Sequence, residues 1–136
     1  RKIDEENFKL IDFFTPNETE AEFYLNKKIK TESDIKNAGQ ELLKKGVKNV
    51  IITLGEKGVY FANKEENFFL NAFKLKEPVL DTTGAGDAFN GALTVSLASN
   101  LDIKEALIFA NKIAGISTTK LGAAASMPFT KDLVNY

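Results

Sequence analysis

The sequence predicts an α/β fold with a mostly parallel sheet and an antiparallel hairpin at one edge of that sheet. Two short apolar runs, residues 8–14 (FKLIDFF) and 50–54 (VIITL), indicate buried strands, and residues 33–45 between them have the spacing of an amphipathic helix. A strand, a helix and a second strand form the unit from which parallel sheets are built. Two further apolar runs, residues 58–62 and 68–73, flank a polar turn and predict the hairpin.

The connections between these first elements follow from turn and helix signals. The first strand is expected to end before Pro16, because a proline holds the preceding residue in an extended conformation. A short acidic helix is predicted over residues 17–24, with a loop over residues 26–30. The second helix is expected to end at Gly46, since glycine commonly follows a helix C-terminus. Its apolar face comprises Ile35, Ala38, Leu42 and Leu43.

The C-terminal third of the chain predicts two packed helices. In residues 88–99, small and apolar residues recur at the spacing of a packed helix, which is the first of the two. Asp102 and Glu105 form an acidic version of a capping box at the start of the second, which is expected to end near Gly122. A short helical piece is predicted in the tail after residues 126–128. The residues expected in the core here are Phe89, Leu93, Leu97, Ala106, Ala110, Ile113 and Ala114.

Composition narrows the classes of function. The chain of 136 residues carries a formal net charge of −1 with both signs interspersed, which favours a small soluble ligand over nucleic acid or a membrane surface. It has no cysteine and no histidine, so acid and base chemistry must come from carboxylates, lysines or hydroxyls. Without an apolar run of membrane-spanning length, a cytosolic protein is expected. The chain begins with Arg1 and has a single methionine, Met127, which suggests a piece of a longer protein.

The sequence TTGAGD before the first of the two C-terminal helices suggests phosphoryl transfer. Gly84 and Gly86 permit unusual backbone angles, so the amides of Ala85, Gly86 and Asp87 can converge at the positive end of the helix dipole. Such donors stabilise a moving phosphoryl group, and the Asp87 carboxylate can accept the proton of an attacking hydroxyl. A P-loop and a dinucleotide fingerprint are both disfavoured by the residues that follow the glycines. On these residues alone, a tight loop with Asp87 as a helix cap remains the alternative.

Four motifs in order resemble the ribokinase family of sugar and nucleoside kinases. DTTGAGDAFNGAL at residues 81–93 resembles the C-terminal signature of that family, and TPNETEAE at residues 15–22 is similar to its Asn-x-x-Glu motif. IITLGEKGVYF at residues 51–61 is similar to its nucleotide-binding strand and turn, and GAAASMP at residues 122–128 to its cation loop. The resemblance implies a Rossmann-like, three-layer ribokinase-like fold. Residues 1–136 would be its C-terminal nucleotide-binding and catalytic part, without the N-terminal sugar-binding and lid half.

The resemblance implies ATP-dependent phosphorylation of the primary hydroxyl of a sugar, D-ribose to ribose 5-phosphate. Asp87 would contact the sugar and act as the catalytic base, while Gly84, Ala85 and Gly86 join it in the anion hole. Fructose, ketodeoxygluconate and nucleosides are alternative substrates within the same chemistry. A non-catalytic regulatory module that binds nucleotide is the alternative from a different class. The partners implied are the sugar, ATP and a second copy of the whole protein in a homodimer.

The resemblance also assigns residues to ATP and to Mg²⁺. Asn17 and Glu20 would organise Mg²⁺ through water, although an exposed acidic helix start is the alternative reading of the same residues. The loop after residues 50–54 would contact ATP, and a plain hairpin turn is its alternative. Asn111 would lie near the adenine, unless it is simply a polar-face residue. The full set of implied ATP contacts is Asn17, Thr53, Leu54, Gly55, Glu56, Lys57, Gly58, Gly86, Asp87 and Asn111.

A monovalent cation, K⁺, is the third implied cofactor. Carbonyl oxygens suit a large and weakly hydrated ion, and an ordered loop beside the anion hole can raise activity without touching the substrate. The lysine in the set would contribute its carbonyl, because an ammonium group cannot ligate a cation. Alternatively, Asp81 only caps the amides of its own loop. The implied residues are Asp81, Thr83, Ser117, Lys120, Gly122 and Ser126.

Overall fold

A computed structural model of the chain describes residues 2–120. The chain divides into two compact units, Arg1–Asn71 and Ala72–Tyr136. The predicted helical tail, with Gly122 and Ser126, lies outside the described residues. No helix among residues 2–120 is long and apolar enough to cross a membrane.

The first unit is built on a four-stranded sheet. Its strands are β1 (Phe13–Phe14), β2 (Asn49–Thr53), β3 (Val59–Asn63) and β4 (Asn67–Leu70), and they lie side by side in chain order. β1 and β2 are parallel, whereas β2 with β3 and β3 with β4 are antiparallel. The sheet is therefore mixed rather than mostly parallel, because short turns after β2 and β3 return the chain directly beside the preceding strand. The expected hairpin at the edge is confirmed.

Two helices cover one face of this sheet, α1 (Glu18–Leu25) and α2 (Glu32–Lys44). α2 begins at a reciprocal capping box in which Thr31 and Asp34 satisfy each other's backbone amides. It ends before Gly46, which takes φ +113°, a conformation that favours glycine. The shared core of helices and sheet contains Ala21, Ile35, Ala38, Leu42, Val50, Ile52, Tyr60 and Ala62. The amphipathic helix and its buried stripe thus match the expectation, with Leu43 only half-buried.

The prediction of one strand over residues 8–14 is wrong in its first half. Glu5–Leu10 is a 3₁₀ helix, and only Phe13–Phe14 form a strand. In this segment Phe8 is buried at 2% exposure, whereas Leu10 is exposed. The Phe8 ring makes edge-to-face contacts with Phe14 and Tyr24 at 5.7 and 5.9 Å between centroids. A single buried anchor among charged neighbours suits a tight helical turn better than a strand buried on both faces.

The second unit pairs two helices, α3 (Ala85–Ala98) and α4 (Ile103–Ser117), which pack against each other. The Asp102 side chain caps α4 by accepting the Glu105 amide at 2.9 Å. α3 begins three residues before the predicted start, because Gly84 takes φ +77° and turns the chain directly into the helix. The buried residues include Ala88, Phe89, Leu93, Ala106, Leu107, Ala110 and Ile113, while Leu97 and Ala114 are half-buried.

Candidate functional site

In the first unit, the carboxyl ends of β1 and β2 bring two of the predicted site residues together. The Pro16 carbonyl accepts the Thr53 amide at 2.9 Å. Asn17 and Thr53 form a parallel bridge just beyond the strands. Parallel strands end at the same edge of a sheet, and that edge is where α/β folds bind ligands. The start of α1 and the end of β2 therefore form one surface.

Asn17 and Glu20 form reciprocal hydrogen bonds at the start of α1. The Asn17 Oδ1 accepts the Glu20 amide at 2.8 Å, and the Glu20 Oε2 accepts the Asn17 amide at 2.9 Å. This is a complete capping box, so both residues have a structural role at the start of α1. It leaves the second carboxylate oxygen, Oε1, without a described partner, and both side chains are exposed. A carboxylate held rigidly by its other oxygen can orient the waters of a hydrated cation.

The loop after β2 is a single 3₁₀ turn at Gly55–Lys57 that leads into β3. The Leu54 amide donates to the Gly58 carbonyl at 2.8 Å, and the Gly58 amide donates to the Gly55 carbonyl at 3.1 Å. Gly55 and Gly58 take φ +58° and +101°. No atom lies within 4 Å of the position where a Cβ on Gly55 would stand. Glu56 and Lys57 are exposed, so the backbone of this turn is open to a ligand.

In the second unit, the N-terminus of α3 is an open end. The Ala88 amide donates to the Gly84 carbonyl at 2.9 Å, and the Ala85 amide donates to the Thr82 carbonyl at 3.2 Å. No side chain caps this end, and within residues 2–120 the amides of Gly86 and Asp87 have no hydrogen-bond partner. Two of the three amides expected to converge are thus available, while Ala85 is engaged by its own turn. The exposed Asp87 carboxylate lies in the same helical turn.

The loop before α3 is tied to the end of α4. The Leu80 and Asp81 amides both donate to the Thr118 carbonyl, at 2.8 and 3.1 Å. The Asp81 Oδ1 accepts the Thr83 amide at 2.8 Å, so this carboxylate does cap its own loop. The described residues expected around K⁺ therefore belong to one connected region that comprises this loop and the end of α4.

At the end of α4, Ser117 is fully buried, and its hydroxyl donates to the Ala114 carbonyl at 2.7 Å. The Ser117 carbonyl accepts the Lys120 amide at 3.4 Å, a long bond that leaves this oxygen only weakly engaged. Asn111 is half-buried on the same helix, about two turns earlier.

Sequence reasoning missed Thr118 and Pro16. Each contributes a backbone carbonyl that holds two segments of its unit together, Thr118 for the loop before α3 and Pro16 for the end of β2. A role played by a backbone carbonyl cannot be predicted from residue type, because every residue has a backbone carbonyl. Only the pairing of the segments in space identifies these positions.

The described residues contain no direct metal cage. No group of three or more histidine, cysteine, aspartate or glutamate side chains is clustered within residues 2–120. A divalent cation held by Asn17 and Glu20 would accordingly keep most of its water and rely on the phosphates of a nucleotide, which is the usual coordination of Mg²⁺.

A sequence profile described as the pfkB family of carbohydrate kinases matches residues 3–130. The chain is 37% identical over 134 residues to a ribokinase of Staphylococcus aureus (strain COL), which covers 98% of the chain and 43% of the relative. The chain thus spans less than half the length of the curated relatives that it matches.

Solved structures agree with this relationship. A ribokinase of Thermotoga maritima matches 98% of the chain and 44% of its own, with a TM-score of 0.86 and 40% identity. An Arabidopsis thaliana ribokinase complexed with ribose and ATP matches 99% of the chain and 43% of its own, with a TM-score of 0.92 and 32% identity. These matches confirm the expected ribokinase-like α/β fold.

Proposed function

Because the chain belongs to the pfkB family of carbohydrate kinases, we propose that its protein transfers the γ-phosphoryl group of ATP to the primary hydroxyl of D-ribose. The observation that carries the proposal is the open N-terminus of α3, where two amides without a described partner accompany the exposed Asp87 carboxylate. The choice of ribose is supported by relatives that are themselves ribokinases, one of them solved with ribose and ATP.

In the proposed reaction, Asp87 accepts the proton of the sugar hydroxyl as the hydroxyl oxygen attacks the γ-phosphorus of ATP. A new bond forms between that oxygen and the phosphorus, and the bond from phosphorus to the β,γ-bridging oxygen breaks. ADP leaves with the electron pair of the broken bond. The amides of Gly86 and Asp87 stabilise the negative charge on the moving phosphoryl group throughout, aided by the dipole of α3.

Asn17 and Glu20 are proposed to hold hydrated Mg²⁺ near the phosphates. The cation would neutralise charge on the β- and γ-phosphate oxygens. The capping box supports this role, since it fixes the Glu20 carboxylate through one oxygen and leaves the other for water. Thr53 and the turn at residues 54–58 are proposed to contact the nucleotide. The bridge from Asn17 to Thr53 supports this proposal, because it joins the start of α1 to the end of β2.

The loop before α3 and the end of α4 are proposed to hold K⁺. Asp81, Thr83, Ser117 and Lys120 would supply oxygen atoms together with Gly122 and Ser126. The weakly engaged Ser117 carbonyl supports this role, because carbonyl oxygens suit a large monovalent cation. Since the same loop leads directly into α3, an ion there would order the anion hole without contacting the sugar.

Replacing Asp87 by asparagine tests the proposed base. In the whole protein, Asp87→Asn is expected to lower kcat for ribose phosphorylation by at least about a hundredfold, the scale of general-base catalysis, and to leave ATP affinity nearly unchanged. Asp102→Asn is the matched control, because Asp102 also lies at a helix N-terminus and asparagine preserves its cap. Retention of normal turnover in Asp87→Asn would contradict the assignment.

A further inference from the structure

Asn90 lies on the same face of α3 as Asp87, one helical turn further from the N-terminus. Residues three apart on an α-helix are neighbours, with about 5–6 Å between their Cβ atoms. Both residues are exposed, whereas Ala88, Phe89 and Ala92 lie on the buried side of the helix. Because every Cα–Cβ bond in a helix tilts toward the N-terminus, the Asn90 side chain leans toward the turn that carries Asp87. The two polar groups therefore border the same stretch of surface.

The side-chain amide of Asn90 is available to a ligand. Within residues 2–120, no hydrogen bond engages this amide group, and the bond in which Asn90 takes part uses its backbone carbonyl, which accepts the Thr94 hydroxyl at 2.8 Å. Among the exposed residues in the first two turns of α3, Asp87 and Asn90 alone carry polar side chains. An asparagine side chain offers two N–H donors and a carbonyl acceptor. A ligand that reaches the Asp87 carboxylate can thus form a second polar contact at Asn90.

The chemistry of the amide favours the sugar over the nucleotide as this ligand. A phosphate oxygen only accepts hydrogen bonds and carries negative charge, so lysine or arginine is its usual side-chain partner. A hydroxyl both donates and accepts, as the asparagine side chain does. The backbone amides of Gly86 and Asp87 point out of the end of the helix, so a phosphate that they hold lies beyond the N-terminus. Asn90 instead flanks the side of the helix.

We propose that Asn90 is a specificity-determining residue, whose side-chain amide hydrogen-bonds a ring hydroxyl of the sugar while Asp87 contacts the primary hydroxyl that is phosphorylated. The inference rests on the proposed function and deepens it, because it assigns a residue of this chain to the recognition of the sugar. A pentose is small enough for its primary hydroxyl and a ring hydroxyl to reach two side chains one helical turn apart. A site that hydrogen-bonds a substrate hydroxyl discriminates against the analogue that lacks it, because the polar group of the site is then left unpaired.

Substrate analogues combined with Asn90→Ala test this contact in the whole protein. The parent is expected to prefer D-ribose, in kcat/KM, over at least one of the deoxy analogues that each lack one ring hydroxyl. Asn90→Ala should reduce that preference by about fivefold, the scale of one neutral hydrogen bond. Asn37→Ala is the matched control, because it removes an exposed asparagine from α2 and should leave every preference unchanged. Identical preferences in the parent and in Asn90→Ala, for every analogue, would overturn the proposal.

Thermal unfolding separates this role from a structural one. Alanine is a better helix former than asparagine, and Asn90 is exposed, so Asn90→Ala is expected to keep or slightly raise the Tm of the whole protein. A lowered Tm, together with an equal loss of kcat/KM for all sugars, would show that Asn90 contacts another segment of the protein. That result would count against a contact with the sugar.

A binding measurement distinguishes a failure of this inference from a failure of the proposed reaction. Titration calorimetry of D-ribose in the presence of ADP needs no turnover, and Asn90→Ala is expected to raise the Kd for ribose about fivefold. If the parent binds ribose but releases no ADP from ATP, the proposed reaction fails, while the change in Kd still reports the contact at Asn90. An unchanged Kd in Asn90→Ala, beside normal turnover in the parent, would refute the contact and leave the proposed reaction intact.

Discussion

Gly86 lies in the first turn of α3, and nothing in its surroundings requires a glycine. No atom is within 4 Å of the position where its Cβ would stand, so Gly86→Ala should cost no packing. Helix propensity favours alanine by about 1 kcal/mol, and the variant should unfold no more easily than the parent. A phosphate that approaches the Gly86 amide would nevertheless meet the new methyl group. We expect kcat/KM to fall by at least about tenfold. This is less than the loss that follows complete removal of one donor from an oxyanion hole.

Gly91→Ala is the control for this measurement. Gly91 lies in the same helix with equally open surroundings, but beyond the open first turn. Its replacement is expected to raise Tm slightly, because helix propensity favours alanine here too, and to preserve kcat/KM. If Gly86→Ala keeps full activity as well, the close approach of phosphate to this amide is contradicted.

Gly39 presents the opposite case within α2. A Cβ at this position would stand 2.6 Å from the Cε1 of Tyr60, whose ring is fully buried. Because the ring is fully buried, its neighbours would have to shift with it, so Gly39→Ala is expected to destabilise the fold by about 1–3 kcal/mol, as overpacking does. Urea unfolding of the whole protein measures the change. An unchanged midpoint, relative to Gly91→Ala, would show that the ring moves aside freely.

At the scale of elements, the carboxylates of Glu22 and Asp34 stabilise the loop between α1 and α2 by accepting hydrogen bonds from its amides. The Glu22 carboxylate accepts the Ile29 amide and the Lys28 ammonium, and these bonds lower its pKa. The Asp34 carboxylate accepts the Lys30 and Thr31 amides, which lower its pKa too. A carboxylate whose pKa is lower in the folded state stabilises the fold above its unfolded pKa and loses that contribution as the pH falls.

Stability is therefore expected to decline as the pH falls below the ordinary values of 4.5 for Glu22 and 3.8 for Asp34. Asp34→Asn should flatten this decline, because the ionisable group that drives it is gone. Glu32→Gln is the control in the same helical turn, since Glu32 accepts none of the described loop amides. Tm measured between about pH 3 and 7 distinguishes the variants. The same slope in Asp34→Asn and in the parent would refute this account of the loop.

The elements that the sequence predicts well are those whose pattern is local. The amphipathic stripe of α2 and the polar turn between β3 and β4 depend on neighbours in the chain, and both are present as expected. The strand predicted for the segment before β1 is wrong, because the conformation of this segment depends on the packing of Phe8 against Phe14 and Tyr24. The mixed sheet likewise depends on how tightly the turn after β2 closes, through the bond from Leu54 to Gly58. Neither contact is visible in periodicity.

At the scale of the whole molecule, the sequence identified the motifs, and the structure supplies their local geometry. Asn17 was predicted beside a metal, and the structure adds that its side chain already caps α1 and that its backbone bridges to Thr53. The anion hole was expected to use three amides, yet the Ala85 amide is engaged by Thr82. Such hydrogen bonds arise from backbone positions that residue types do not encode.

The chain spans less than half the length of its curated relatives, so the proposed reaction is best tested in the whole protein. The measurement that tests the central claim most directly is ADP release by the whole protein with ATP, Mg²⁺ and K⁺, across a panel of sugars and nucleosides. The account predicts ADP formation that depends on the acceptor, is greatest with D-ribose and is lost in Asp87→Asn. No ADP above background with any acceptor would contradict it and favour a protein that binds nucleotide without catalysis.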